Sequence, residues 1–200
     1  ASGGGGGGTS TFTVSAGADD GYVAKSTSSS SVPTSGWGSP SNSGASMVVG
    51  IQEDYENWPN YLDHFMGYVR FQNVTIAQGA TIVSAYLKPY VQAGAERTWA
   101  VKGFDKDNVS APSSGSDLAH SNLTTAGITN FVVSSGASRK TSPDIKTIVQ
   151  EIVNRSSWAS GNSMMFAMWL HSYSTGTEIR NPRTFEHSSA SQACQLEITT

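Results

Sequence analysis

Histidines, one cysteine, two acidic clusters and a group of aromatic residues are the parts of this 200-residue chain whose types suit chemistry. The histidines are His64, His120, His171 and His187. None has the i, i+4 spacing of a helical metal pair, and none lies near a nucleophile elbow. Serine is so abundant that a serine beside a histidine carries no information, and His171 ends an apolar run as a structural histidine would. No catalytic group is therefore assigned, and the chain reads as a non-enzyme that needs no cofactor. Asp105-Lys106-Asp107-Asn108 places two carboxylates and an amide close together, and alternating oxygen donors suit Ca²⁺. The glycine and distal glutamate of an EF-hand loop are missing. The segment reads as a solvated turn, with Asp105 and Asp107 as a weak calcium candidate. Glu53-Asp54-Tyr55-Glu56 reads in the same way, as an acidic rim before a metal site.

Cys194 is the single cysteine, so neither an intrachain disulfide nor a Cys-pair zinc site can form. It shares a strand face with Leu196 and Ile198, which suits a buried thiol. Trp37, Tyr55, Trp58 and Tyr61 fall in loop-like segments. Such rings form a platform for the apolar face of a sugar, or they plug the ends of a fold or pack on a neighbouring subunit; both readings stay open. Gly3, Gly4, Gly5, Gly6, Gly7 and Gly8 form an N-terminal arm, either a flexible linker or a strap ordered along a neighbouring molecule. The sequons at Asn73, Asn108, Asn122 and Asn154 matter only if the chain passes a glycosylating route.

The elements that would position these groups are mostly strands. Residues 65–72 alternate Phe65, Gly67, Val69 and Phe71 against Met66, Tyr68, Arg70 and Gln72. Residues 80–91 carry a second run, with Val83, Ala85, Leu87 and Val91 on one face, and the turn at 77–80 predicts a central hairpin. Further strands are expected at 11–16, 22–25, 46–51, 97–104, 128–133, 164–173, 183–187 and 194–199. The run at 164–173 is apolar on both faces and should be central. One helix is expected over about 143–155, with Ser142 as N-cap and Pro143 at its first position. Its stripe is Ile145, Ile148, Val149, Ile152 and Val153. The expected fold is mainly β: an antiparallel β-sandwich or jelly roll of about 8–10 strands with one amphipathic helix. The arm occupies 1–10 and a single domain 11–200.

Charged residues make up 14% of the chain and the formal charge is −3, so there is no basic stripe to hold nucleic acid. No apolar run approaches a membrane span. No basic n-region or apolar h-region of a signal peptide is visible at the start.

Four segments carry a family resemblance: TFTVSAGADDGYV, GYVRFQNVTIAQGATIVSAYLKPYV, DIKTIVQEIVNRSSWASGNSMMFAMW and the closing QLEIT. In this order they resemble the DNRLRE-type β-sandwich domains. The third is the most specific. The loops 52–64 and 105–116 depart from the pattern. Domains of this kind occur in bacteriophage virion proteins, in bacterial surface proteins and beside carbohydrate-active enzymes. The resemblance implies a jelly roll used for attachment or display, and it supplies no catalytic residue. The expectation is a structural virion protein, either a capsid decoration (cement) protein or a tail-associated attachment domain. Its partners would be capsid or tail proteins of the same particle. It would be a homo-oligomer, a trimer where a threefold capsid site requires one. The alternative is a secreted carbohydrate-binding module that meets a cell-surface glycan, with the glycines as a linker remnant.

Overall fold

The computed structural model describes residues 7–53 and 61–200. The described residues form twelve strands: β1 (Thr9–Thr13), β2 (Asp20–Thr27), β3 (Val49–Glu53), β4 (Leu62–Phe71), β5 (Ser84–Lys88), β6 (Tyr90–Val91), β7 (Arg97–Phe104), β8 (Leu123–Val133), β9 (Ser138–Arg139), β10 (Met164–Leu170), β11 (Glu178–Arg180) and β12 (Gln195–Thr199). The one α-helix among the described residues, α1, spans Lys146–Val153. The fold class is the expected one, an antiparallel β-sandwich with an amphipathic helix. A 7-stranded sheet runs β11-β3-β4-β10-β7-β8, with β2 also paired to β4. A 3-stranded sheet runs β1-β12-β5, and β6 pairs with β9. The count exceeds 8–10 because several strands are too short to leave a period-2 signal.

The two faces of the large sheet bury two different clusters, and strand alternation decides which residue goes where. On β4, Val69 and Phe71 point into the main core, while Met66 and Tyr68 point the other way. On β10, Met164, Phe166 and Met168 join the first set, and Met165 and Ala167 the second. The main core is closed by Ala85 and Leu87 of β5, Leu196 and Ile198 of β12, and the stripe of α1. Among the described residues no sheet lies over the second face. Loops cover it instead, with Trp37, Val109 and Leu118 supplying the apolar side chains. The strand expected to be central, β10, is flanked by β4 and β7 and is buried along nearly its whole length.

The apolar stripe of α1 is as expected: Ile145, Ile148, Val149, Ile152 and Val153 are all fully buried. A β-carbon at Gly103 on β7 would come within 2.8 Å of Ile148 and Ile152, so a glycine there lets the helix lie close to the sheet. The helix start differs from expectation. Ser142 is not the N-cap and Pro143 is not the first helical residue, because this segment lies along the open edge of β5. Ser142 N donates to Leu87 O (3.0 Å), and Ile145 N to Ala85 O (2.9 Å). In return Ser142 Oγ accepts from Leu87 N, and Asp144 Oδ1 from Ala85 N, each at 3.0 Å. Groups committed to a strand edge cannot also open a helix. On the far edge, Glu151 of α1 accepts from the backbone N–H groups of Thr125 (2.7 Å) and Ala126 (2.8 Å) of β8.

Two further expectations are corrected. The run after β4 does not fold back on it as a hairpin. The turn is present, with Ala80 N donating to Ala77 O and Gly79 at φ 68°, but the chain crosses to the other sheet, where β5 pairs with β12. Ala85, Leu87 and Val91 share a buried face as their spacing suggests, but Val83, grouped with them by alternation, is exposed and Ile82 is buried. Residues 183–187 form no strand. They make a single bridge, Ser46 to Arg183, and a turn closed by His187 N on Thr184 O.

Replacing Ile148 with Asp would put an unpaired carboxylate between α1 and β7, at a cost of several kcal/mol. We expect Ile148→Asp protein to be unfolded or aggregated. Circular dichroism and thermal melting check this; a soluble variant melting like the parent contradicts the packing described.

Candidate functional site

The feature best suited to hold a ligand is a trough at the end of β10. Trp169 is the one residue of β10 that is only half-buried. It projects on the loop-covered side of the sheet, beyond Met165 and Ala167, where that cover stops. One neighbour of its ring is His120, with centroids 4.9 Å apart at 35°. His120 in turn lies 6.4 Å from Trp37. The three rings form a tier that anchors Trp169 in the second core. The trough beside it has a volume of about 550 Å³, and Ser30, Ser31, His171, Ser172 and Tyr173 are among its lining residues. A smaller hollow of about 210 Å³ shares Leu170, Ser172 and Tyr173 with it and adds Glu96, Arg97 and Glu178. The two hollows are therefore neighbours that share one wall. Tyr173, at the divide, donates its hydroxyl to Glu53 Oε1 at 2.9 Å. Burial, reinforced by that contact, pushes the phenol up to about 12, so it stays a donor at neutral pH.

The residues singled out from the sequence scatter. Trp37 is 6% exposed and serves the second core rather than a surface platform. Its covering loop runs so close to the 3-10 turn at Gly115–Leu118 that a β-carbon on Gly115 would lie 2.0 Å from the Trp37 carbonyl oxygen. Tyr61 is exposed at 46%. Tyr55 and Trp58 lie outside the described residues, as do Gly3, Gly4, Gly5 and Gly6. Gly7 and Gly8 run beside the last residue, with Thr200 N donating to Gly8 O at 3.2 Å. Asp105 and Asp107 both turn to Arg155: Asp105 pairs with Nη1, and Asp107 Oδ1 lies 2.8 Å from Nε. They form one ion-pair cluster rather than a shared oxygen cage, and among the described residues no group of three or more His, Cys, Asp or Glu is arranged to hold a metal. Cys194 is fully buried, and burial raises its thiol far above the reactive range.

Composition hid Trp169, because a strand apolar on both faces reads as wholly buried. The available signal was the sequence that follows it, Leu170-His171-Ser172-Tyr173, where an apolar row gives way to polar and aromatic residues.

A second cluster is buried under the start of β2. Asp19 pairs with Arg70 and accepts from Gln72 Nε2 at 2.6 Å. Arg70 also donates to Val109 O (2.7 Å) and Ser163 Oγ (3.0 Å), so one guanidinium ties β4 to three loops. Asp20 beside it is fully buried and accepts from Phe185 N at 3.0 Å, while its Oδ1 has no protein partner. Burial, reinforced by the nearby Glu186 carboxylate, lifts the Asp20 pKa to about 8. Among the histidines, His64 is buried with Nε2 2.8 Å from Ser29 O, so that nitrogen carries the proton. Burial lowers the pKa of both His64 and His120. Among the described residues no hydrogen bond joins a histidine to a serine hydroxyl or a carboxylate in the manner of a hydrolase triad.

Comparison with known proteins returned no matching family model and no matching curated protein.

Asp20 supplies a pH prediction. In the unfolded chain it ionises near its ordinary 3.8; in the folded state it keeps its proton to about 8. The folded state binds the extra proton between those values, so stability should fall as pH rises through that window and level off above it. Asp20→Asn removes the cost. We expect parent and variant to melt closely at pH 4 and to separate by pH 8.5, the variant melting higher, at about 2–4 °C per kcal/mol for a chain of this size. A gap that does not widen with pH, followed by calorimetry, contradicts the assignment.

Proposed function

We propose that this chain is a non-enzymatic structural protein of a bacteriophage virion, a capsid decoration (cement) protein or a tail-associated attachment domain. It would be built on the DNRLRE-type sandwich that its sequence resembles. The observation that carries the reading is where the few charges go. Of twelve Lys and Arg residues, more than half donate to the chain's own backbone carbonyls: Lys25, Arg70, Arg97, Lys102, Arg139, Lys140 and Arg180. Arg155 and Lys88 are engaged by carboxylates. With only 14% of residues charged, the exterior is rich in hydroxyls and carries few charges. Such a surface offers little repulsion between copies and suits close packing against like or related subunits. The glycine arm fits the same role, since a backbone without side chains can follow a groove and pair with a neighbour wherever that neighbour supplies hydrogen bonds.

A second reading, a secreted carbohydrate-binding module, is favoured by the half-open Trp169 in its trough. In both readings the protein attaches rather than catalyses.

The test compares the full chain with one lacking residues 1–8. We expect the full chain to be a homo-oligomer, a trimer by light scattering, and to co-sediment with particles from which it has been omitted. The truncated chain should keep the same circular dichroism spectrum and bind particles about tenfold or more weakly, a loss of about 1.4 kcal/mol or more. Equal binding by both forms would reduce the arm to a linker. Failure of the full chain to bind particles at all would remove the virion reading.

A further inference from the structure

We propose that the trough at the end of β10 binds a neutral oligosaccharide of more than one sugar ring, with Trp169 as the stacking surface. This deepens the attachment reading by naming a ligand class and a site, and it holds for either carrier, virion or secreted module. Among the described residues, no Lys, Arg, Asp or Glu lines the larger lobe. Its polar groups are hydroxyls, such as those of Ser30, Ser31 and Ser172, together with imidazole and phenol. A phosphate, sulfate or uronate would lose its hydration there with no cation in return. A single-stranded nucleic acid would stack on Trp169 but find no positive track for its backbone. A pyranose fits both features. Its C–H face gains dispersion contact against an indole, and its hydroxyl rim exchanges hydrogen bonds with neutral donors and acceptors.

The tier behind the indole matters to this assignment. Trp169 is backed by His120, and His120 by Trp37, which is almost fully buried. A ring held in this way meets a ligand with little loss of rotamer freedom. The smaller lobe continues the site past Tyr173 and places Arg97 beside Glu96 and Glu178. The guanidinium and the two carboxylates of this lining offer donors and acceptors to vicinal hydroxyls, and one cation against two acids disfavours an anionic sugar. The two hollows adjoin at Leu170, Ser172 and Tyr173, so a ligand that reaches from Trp169 across that wall into the second must be longer than one ring.

The full chain is screened on an array of glucan, mannan, xylan and galactan oligosaccharides, with oligogalacturonate as the anionic comparison. Hits are followed by calorimetry. We expect at least one neutral backbone to bind, hexamers to bind more tightly than the free monosaccharide, and oligogalacturonate not to bind. Trp169→Ala should weaken binding about tenfold or more. Since that change also removes packing, Ser31→Tyr provides the second arm: Ser31 is exposed in the trough wall, and a ring there fills the lobe without emptying the core. It should abolish binding with an unchanged melting temperature. The proposal is overturned if no neutral glycan binds, if only the anionic one does, or if binding survives both substitutions. Attachment to particles is measured without sugar, so failure here leaves that result standing, and the reverse also holds.

Discussion

The large sheet is apolar on both faces, and the small sheet with its helix is broad enough to cover only one. Much of the rest of the structure follows from that mismatch. Met165 and Ala167 on β10, and Met66 and Tyr68 on β4, would face water if the chain consisted of strands alone. Long serine-rich loops are drawn over them, and each loop brings an apolar anchor: Trp37 from one, Val109 and Leu118 from another. The long loops are thus the second lid of a sandwich.

A lid made of loops brings backbone polar groups close to apolar surface, and these must find partners. Arginine and lysine side chains perform this task in the lid, where Lys25 donates to Ser35 O and Arg70 to Val109 O, each at 2.7 Å, and they do the same at connections away from it. Arg180, 1% exposed and without a salt bridge among the described residues, donates to the carbonyls of Gln92 and Ala95, both at 2.6 Å, and to those of Val133 and Ser134, both at 3.2 Å. Arg139 gathers Lys88, Ser191 and Ala193 in the same manner. A planar five-donor group is well matched to several carbonyl dipoles at once, and burial pulls the Arg180 pKa down without removing its charge. Arg70 adds an acid to the arrangement through Asp19, and it tethers the loop that carries Val109.

Sequence revealed what repeats locally. The stripe of α1 and the twofold alternation of β4 were legible because each is written in adjacent residues. So were the doubly apolar β10 and the buried face of Cys194. The partner of each strand was not. The turn at 77–80 says that the chain reverses, but the choice between pairing with β4 and crossing to β12 is decided by contacts more than a hundred residues away. The start of α1 misled for a related reason: Ser142-Pro143-Asp144 has the chemistry of a helix opening, and an open strand edge used it first. Trp37 was legible as a loop aromatic and no further, since whether its ring meets water depends on the outer face of a sheet it does not belong to. Trp169 was missed from the opposite direction, as a core residue at the point where the loop cover ends.

The pairing of β1 with β12 has a mechanical meaning. Thr9 lies opposite Thr199 and Thr13 opposite Gln195, so the N-terminal end of β1 and the C-terminal end of β12 leave the ladder at the same corner. Tension applied between those two points meets the rungs one at a time and peels them apart, as a zipper opens. Tension applied along the strands in opposite directions would instead load all the rungs together. A force transmitted through both ends of this sandwich therefore meets its weakest axis, and a tether that must resist pulling is better made through one end and a face.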